Sequence, residues 1–340
     1  MNRCLFVFAA VIFLTSCAES KETKLQRFLL KGNMMVQDND ENQAITYYQE
    51  ALKLDHCFAD ALNNIGTIYF RQKRFDLALE NYEKAISCNS DYLNAYFNRA
   101  NTFYELKEYY RALKDIDKVI QAKPDTAIAY FTRGLVFTKL RDFESALDAF
   151  DESVQLDSMR VEYFVNRATV KYYRKDFAGA KADLTQAKTI DPKEATIYNT
   201  ESLVDVELKN YSTAMELINK AISLAPDQPY FVNNRGFIYL SLGELDKAEA
   251  DINKGIGLDP YNGWAYRNKG IYYFLKGDFE SAERLLKQAL DMDPFIDKIH
   301  FYLGMAYLKN EKQAQACDQF NMSEELGDKM LTTDLIKKCK

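Results

Sequence analysis

Histidine, cysteine and paired carboxylates are the residues most able to do chemistry, and this 340-residue chain has only two histidines and six cysteines. Neither His56 nor His300 has a cysteine, aspartate or glutamate at metal-ligand spacing on one helical face. The sequence also lacks phosphate-binding loops, nucleophile elbows and zinc-protease motifs. Its carboxylates are scattered, and no pair stands out. The sequence therefore predicts a protein that is not an enzyme, with no metal and no cofactor.

Cys17 closes an N-terminal segment of a different kind. Arg3 precedes an apolar run of ten residues, 5–14, and the residues LTSC at 14–17 end it. Ten residues are too few to span a bilayer as a resident helix. The segment is therefore predicted to be a processing signal that is not part of the fold.

This segment resembles a bacterial lipoprotein signal with its lipobox, and a plain secretory signal with a chance cysteine is the alternative. The resemblance implies that residues 1–16 are removed and that Cys17 is acylated, so that its lipid chains hold the protein to a membrane. Residues 17–24 would be the lipidated cysteine and a polar tether. Ala18, which is not aspartate, is compatible by the same resemblance with an outer membrane. We therefore expect a lipid-anchored protein of the bacterial cell envelope.

A 34-residue pattern occurs nine times between residues 25 and 329, and the helices that it predicts must position any functional side chain. When Gly263 is counted as position 1, position 8 is glycine or alanine in every copy except at Ser202, and position 20 is always alanine. Position 32 is proline in five copies, where a second helix must stop. Large apolar residues at positions 4, 11 and 24 complete two amphipathic helices. The pattern predicts an antiparallel helical hairpin in each copy.

The pattern resembles the tetratricopeptide repeat (TPR). The resemblance implies an all-α, right-handed superhelical solenoid of about nine repeats over residues 25–329, with a core shared between neighbouring repeats. Residues 330–340 are predicted to form a C-terminal capping helix, with Met330, Leu331 and Ile336 on its apolar side. The formal net charge of −6 gives no broad basic footprint, so nucleic acid is not an expected partner.

Four cysteines outside the signal would lie in a compartment where disulfides form. A solenoid brings only neighbouring repeats together, which excludes bridges between the first repeats and the last. The predicted bridges are therefore Cys57–Cys88 and Cys317–Cys339, and four free thiols are the alternative.

Two charged positions of the repeat vary together. Each repeat with aspartate at position 23 carries arginine at position 7, on the first helix of the same hairpin. The coincidence predicts structural ion pairs across the hairpin, and a basic ladder for an acidic ligand is the alternative. The predicted pairs are Arg99 with Asp115, Arg167 with Asp183, and Arg235 with Asp251.

Positions 2, 6, 9 and 13 form a stripe that points about 160° away from the packing stripe of the first helix. In TPR proteins this stripe lines the concave face, where an extended peptide or a partner helix binds. Asparagine amides there can pair with a peptide main chain, and polar filler on a wet face is the alternative. Position 6 holds Asn64, Asn98, Thr132, Asn166, Thr200, Asn234, Asn268 and Tyr302, and the candidate anchors around it are Tyr230, Phe237 and Trp264.

Two hypotheses follow for the function. The first is a lipid-anchored interaction module that holds an extended segment of another envelope protein in its concave groove. The second is a component of an outer-membrane assembly or secretion machine, similar to TPR lipoproteins that help to insert barrel proteins. In both, the partners are another protein and, through the N-terminal lipid, the membrane.

Overall fold

The structure, a computed structural model, describes residues 19–328, 330–332, 334, 335 and 339. The predicted signal segment, Cys17 and Ile336 lie outside the described residues. Within them the fold is all-α, with eighteen helices arranged as helix–turn–helix hairpins in a solenoid-like array, so the predicted fold class is confirmed. The chain divides into two compact units, residues 1–142 and 143–340, each of which is described by itself.

The described part of the first unit contains seven helices joined by short turns. They are α1 (Lys21–Gln37), α2 (Glu41–Leu54), α3 (Ala59–Arg71), α4 (Phe75–Cys88), α5 (Leu93–Glu105), α6 (Tyr109–Ala122) and α7 (Ala127–Leu140). Helices α1 and α2, α3 and α4, and α5 and α6 form three hairpins, and α7 packs against α5 and α6.

The described part of the second unit contains eleven helices. They are α8 (Phe143–Leu156), α9 (Val161–Tyr173), α10 (Phe177–Ile190), α11 (Ala195–Glu207), α12 (Tyr211–Leu224), α13 (Pro229–Leu242), α14 (Leu245–Leu258), α15 (Gly263–Lys276), α16 (Phe279–Met292), α17 (Ile299–Lys309) and α18 (Gln313–Glu325). Helix α8 packs against α9, and the other ten form five hairpins. The first helices of these hairpins, α9, α11, α13, α15 and α17, also contact one another in sequence, so they lie side by side.

A left-handed residue closes each first helix at position 15 of the repeat. In α3, for example, Lys73 has a φ of 58°, its N–H donates to the carbonyl of Phe70, and the N–H of Arg74 donates to the carbonyl of Tyr69. This arrangement satisfies carbonyl groups that the helix end would leave unpaired. The residues at this position are Asn39, Lys73, Lys107, Arg141, Lys175, Lys209, Gly243, Gly277 and Glu311.

Position 8 is small because the side chain at position 24 of the second helix occupies the space beside it. A Cβ atom on Gly66 would lie 2.6 Å from Cε1 of Tyr82, which is closer than two carbon atoms can approach. Where position 8 is alanine, position 24 holds a side chain without a ring, as in the pair Ala100 and Ile116. The side chains at positions 8 and 24 of a repeat therefore together fill a space of fixed volume.

The buried side chains have no single centre. Position 20 is a fully buried alanine in each hairpin, and large residues from one repeat pack into the cluster of the repeat before it. Ile68 of α3, for example, belongs to the cluster formed by α1 and α2, and Val136 of α7 to the cluster formed by α5 and α6. Each repeat is therefore stabilised mainly by its immediate neighbours.

The N-terminal tether is shorter than the sequence suggested. The side chain of Ser20 accepts a hydrogen bond from the backbone N–H of Thr23 and caps α1, which begins at Lys21. Residues 21–24, which were predicted to belong to the tether, are therefore helical because a capping serine precedes them.

The C-terminal segment contacts the last repeat. Leu331, Leu335 and Cys339 pack against the apolar cluster formed by α16, α17 and α18. This contact is the one that a capping segment requires, because the last repeat of a solenoid otherwise exposes its apolar face. The predicted capping role of residues 330–340 stays a prediction.

Gly66→Ala is expected to lower the free energy of unfolding by about 1–3 kcal/mol, because the added methyl group overlaps the ring of Tyr82. Adding Tyr82→Ile to the same chain is expected to recover most of this loss, since the double variant reproduces the natural pair Ala100 and Ile116. Denaturant unfolding of the single and double variants measures both effects. Ala100→Gly is the control and should cost about 1 kcal/mol from helix propensity alone. Equal losses in the single and double variants would contradict the shared-volume explanation.

Candidate binding cavity

A cavity of about 570 Å³ lies in the second unit, among the first helices α9, α11, α13 and α15. These helices lie side by side, so stripe residues of α9, α11 and α13, together with Trp264 at position 2 of α15, face the same space. The cavity brings together five of the residues predicted for the groove. They are Asn166, Tyr230, Asn234, Phe237 and Trp264.

Both apolar and amide side chains line this cavity. Tyr172, Leu203 and Val206 supply further apolar surface, and Asn199 and Asn233 supply further amides. These additional residues come from positions 5, 9 and 12 of the repeat. A wall of this kind can bury an apolar side chain of a ligand while the amides bind its main chain.

The asparagines of position 6 donate hydrogen bonds to the preceding repeat. Nδ2 of Asn234 lies 2.8 Å from Oδ1 of Asn199, and in the first unit Nδ2 of Asn98 lies 2.9 Å from Oδ1 of Asn63. Both acceptors occupy position 5, which the sequence analysis did not consider. An amide has two N–H groups, so the donation leaves the second N–H and the oxygen for other partners. Asn98 and Asn234 therefore join neighbouring repeats.

The remaining predicted amides have other surroundings. Nδ2 of Asn166 donates to the carbonyl oxygen of Glu162 on its own helix, at 2.8 Å. In the first unit, Nδ2 of Asn64 donates to Oδ1 of Asn33 at 3.1 Å. Asn64 and Asn98 belong to the first unit, and they do not line the cavity.

Asn268 differs from the prediction because it is buried and not part of a wet face. Only 1% of its surface is exposed. Its Nδ2 donates to Oδ1 of Asn233 at 2.9 Å, and its Oδ1 accepts two hydrogen bonds from Arg267, at 2.7 and 3.0 Å. Because these bonds occupy both ends of the amide, Asn268 holds Arg267 in place and does not offer its amide to a ligand.

Arg267 is a buried cation in the wall of the cavity, and only 3% of its surface is exposed. Its guanidinium carbon lies 4.6 Å from the ring centroid of Phe237 and 4.8 Å from that of Trp264. Burial lowers the pKa of Arg267, and the nearby Asp297 opposes this shift. The hydrogen bonds to Asn268 and the two aromatic faces offset part of the desolvation penalty. Arg267 therefore fixes the orientation of both predicted aromatic anchors.

Asp297 and Lys298 form a short segment before α17, here called the strap, and Asp297 lines the cavity. Helix α17 begins at Ile299, two residues later than the repeat register predicts, and Lys298 has a φ of 59°. Nζ of Lys298 lies 2.7 Å from Oε1 of Glu207 at the end of α11, 91 residues away in sequence. The carbonyl oxygen of Asp297 accepts a hydrogen bond from Arg267 at 3.0 Å.

The strap also affects Tyr172 in the cavity wall. Burial, together with the carboxylates of Glu207 and Asp297, raises the pKa of Tyr172 well above its usual value. Its phenol group therefore stays neutral at physiological pH.

Each of the three predicted arginine–aspartate pairs is bidentate in the structure. Within one hairpin, Nε and Nη2 of Arg99 lie 2.7 and 2.8 Å from the two carboxylate oxygens of Asp115. The corresponding distances are 2.9 and 2.6 Å for Arg167 with Asp183, and 2.6 and 2.8 Å for Arg235 with Asp251. Because each guanidinium is neutralised by a buried aspartate, these arginines are placed to join the two helices of a hairpin.

The four cysteines predicted to pair are joined as two disulfides. Cys57, in the turn before α3, is bonded to Cys88 at the end of α4. Cys317 of α18 is bonded to Cys339 of the C-terminal segment. The Cα–Cα distances are 5.1 and 5.3 Å.

The described residues show no metal site. No group of three or more histidine, cysteine, aspartate or glutamate side chains in them could hold a metal ion. His300 is buried, and its Nδ1 lies 2.7 Å from Oε1 of Gln319. In the same part of the chain, no helix is both long and apolar enough to cross a membrane.

Comparison with protein families gives one consistent result. Models described as tetratricopeptide repeat match residues 59–92, 97–158, 195–228, 231–262 and 267–329, and a TPR repeat model matches residues 32–73. Together these matches cover well over half of the 340 residues. A search of curated proteins finds no match.

Solved structures share the fold at low sequence identity. The chain is 19% identical to Pseudomonas aeruginosa PilF, with a TM-score of 0.55, and the match covers 61% of this chain and 94% of that one. A chain of the Cut9–Hcn1 hetero-tetramer of the APC/C is 17% identical, with a TM-score of 0.62, and the match covers 94% of this chain and 63% of that one. At these identities the likeness shows the fold alone.

Lys298→Met is expected to lower the free energy of unfolding by about 1–2 kcal/mol, between the values typical of exposed and of buried ion pairs. It should also shift the fluorescence of Trp264, the only tryptophan, because the strap holds Arg267 against that ring. A double-mutant cycle with Glu207→Gln measures the coupling between the two charges.

Lys247→Met is the matched control, because Lys247 forms an exposed ion pair with Glu244. It should leave both stability and fluorescence unchanged. Additive effects of the substitutions at Lys298 and Glu207 would show that the strap is not held by this pair.

Proposed function

The chain belongs to the tetratricopeptide-repeat family, and on that basis we propose that it is a lipid-anchored envelope protein that binds an extended segment of a partner protein in the cavity of its second unit. A TPR scaffold of this kind mediates protein–protein interaction. The anchor, the site and the form of the partner are the proposed parts.

The observation that carries the proposal is the convergence of the predicted groove residues on one cavity. Asn166 and Asn234 come from different repeats, as do the aromatic residues Tyr230 and Trp264, and all four line the same space. A volume of about 570 Å³ is within the range of ligand-binding pockets, and it suits a few residues of extended chain. A large globular surface could not enter it.

The amides of the cavity support binding through the main chain of the partner. Asn234 donates to Asn199 of the preceding repeat, which fixes both side chains before a ligand arrives and leaves the second N–H of Asn234 for a main-chain carbonyl. Ordering these groups in advance reduces the entropy lost on binding. The aromatic residues Tyr230, Phe237 and Trp264 then supply pockets for side chains, which give specificity.

The N-terminal segment supports the lipid anchor. Its positive residue, its short apolar run and the LTSC tetrapeptide at residues 14–17 are the features expected of a lipobox signal. Because α1 begins at Lys21, only a few residues separate Cys17 from the first helix. The anchored protein would therefore hold its first repeat close to the membrane.

A component of an outer-membrane assembly or secretion machine is the alternative. Exposed apolar side chains in turns of the second unit favour it, because such a component would dock through rigid surfaces. Met159, in the turn before α9, is 72% exposed, and Tyr261, in the turn before α15, is 88% exposed. If this alternative holds, substitutions at Met159 and Tyr261 will weaken partner binding more than substitutions in the cavity.

Tyr230→Ala and Trp264→Ala are expected to weaken binding of the partner segment by about 2 kcal/mol each, or about thirtyfold in Kd, because each removes an aromatic anchor. The segment can be identified by placing a photo-crosslinking residue at position 230 and mapping the crosslinked peptide. Affinity for that peptide is then measured together with thermal melting.

Tyr110→Ala is the control, since Tyr110 is 77% exposed and lies outside the cavity. It should leave affinity unchanged. Unchanged affinity in the cavity variants, with normal melting, would refute the cavity as the binding site.

Cys17→Ala is expected to block lipidation and signal removal, so that an uncleaved protein accumulates away from its normal membrane fraction. Mass spectrometry of the N-terminus and membrane fractionation measure the two effects. Cys4→Ala is the matched control, because Cys4 lies inside the predicted signal and should not alter processing. Normal processing and membrane retention of Cys17→Ala would rule out the lipid anchor.

A further inference from the structure

We infer that the outer face of α1 rests on the anionic surface of the membrane that carries the protein. This face is defined by Arg27, Leu30, Lys31 and Met34, which follow one another at spacings of three, one and three residues and so lie on one side of the helix. The inference rests on the proposed lipid anchor and is independent of the cavity in the second unit.

The face is not built to receive another repeat. In α3, the residues at positions 3 and 10 are Ala61 and Ile68, which are almost fully buried against the preceding hairpin. The corresponding residues of α1 are Arg27 and Met34, and both are exposed. An arginine at position 3 could not be buried against a neighbouring hairpin without a large desolvation penalty.

The same face exposes apolar side chains, which the uncovered end of a repeat array would be expected to lack. Leu30 is 61% exposed and Met34 is 50% exposed. The end repeat of a solenoid normally carries a polar outer surface, because no neighbour covers it. Two exposed apolar residues beside Arg27 and Lys31 instead match a helix that lies in a membrane interface, with its cations at the headgroups.

The charge of α1 is opposite to that of the chain. Helix α1 has four basic residues and one acidic residue, whereas the formal net charge of the whole chain is −6. Some of these cations have partners, since Arg27 lies 2.6 Å from a carboxylate oxygen of Glu19 and Lys21 lies 3.3 Å from one of Asp55. The cations of these pairs are exposed, so phosphate groups of lipids can compete for them.

The proposed anchor brings this helix to the headgroups. Lys21 is four residues after Cys17, and an extended chain of this length spans at most about 14 Å. This maximum is less than twice the range of electrostatic attraction in physiological salt, about 8 Å. Among the described helices, α1 is therefore the one that the anchor holds closest to the lipid surface.

A second copy of the chain is the other candidate to cover this face. A two-fold dimer through the outer face would bring Arg27 and Lys31 of one copy towards the same cations of the other. Like charges brought together in this way oppose association. Anionic lipids complement the same charges, so the membrane is the occupant that the face fits better.

The test uses the lipidated chain, added to vesicles of phosphatidylcholine alone or of phosphatidylcholine mixed with phosphatidylglycerol. An environment-sensitive dye is attached at Met34→Cys without reduction, because the other cysteines of the mature described chain are bridged. On the anionic vesicles we expect a blue shift of the emission and protection from acrylamide quenching. Tyr110→Cys is the matched control and should show neither effect, since Tyr110 is exposed on α6.

Arg27→Gln with Lys31→Gln should abolish the blue shift at position 34 without changing thermal melting. Flotation of the protein with the vesicles tests the lipid anchor independently of the dye. A protein that floats with both vesicle types while the dye at position 34 stays silent refutes the inference and leaves the anchor intact. A protein that floats with neither vesicle type refutes the anchor and also overturns the inference, which rests on the anchor. A blue shift in detergent that grows with protein concentration would indicate a second copy and overturn the inference.

Discussion

The fold depends on the close approach of the two helices in each hairpin. A glycine, alanine or serine at position 8 lets the second helix come near, and the residue at position 24 fills what remains of the space. Gly66 with Tyr82 and Ala100 with Ile116 are two solutions to the same volume constraint. In the second unit, contacts between neighbouring hairpins also place the first helices side by side. Their outward stripes then point to one space, which makes a shared cavity possible.

The cavity shows how a repeat array can form a specific site. Most of the cavity wall comes from the same few repeat positions on successive helices. The properties of the site depend on residues that depart from the repeat pattern. Arg267 stands at a position where α11 and α13 carry asparagine, and the strap at Asp297 and Lys298 replaces the first two residues of a helix. The regular repeat positions form the wall of the cavity, and the residues that depart from the repeat pattern hold particular side chains in that wall. Side chains held in this way lose little further freedom when a ligand binds.

Features that repeat or act locally could be predicted from the sequence. The hairpins follow from periodicity, and the arginine–aspartate pairs connect residues 16 apart that the hairpin brings together. The burial of Arg267 and Asn268 could not be predicted, because their hydrogen bonds reach Asp297 and Asn233, 30 and 35 residues away in sequence. The role of position 5 as an acceptor was also missed, since asparagine recurs there in only some repeats. What the sequence leaves open is the set of contacts that occur once.

The two disulfides bear on how the protein resists proteolysis. A linear array opens most readily at its ends, where a repeat has a single neighbour, and local unfolding of this kind exposes chain to proteases. The bond from Cys57 to Cys88 closes the second hairpin, and the bond from Cys317 to Cys339 fastens the final segment to α18. In each unit, local unfolding that starts at the chain terminus therefore reaches a disulfide bond within one or two hairpins. Reducing conditions break both disulfide bonds and leave the internal hairpins unchanged. The chain termini then become the first sites open to proteolytic cleavage.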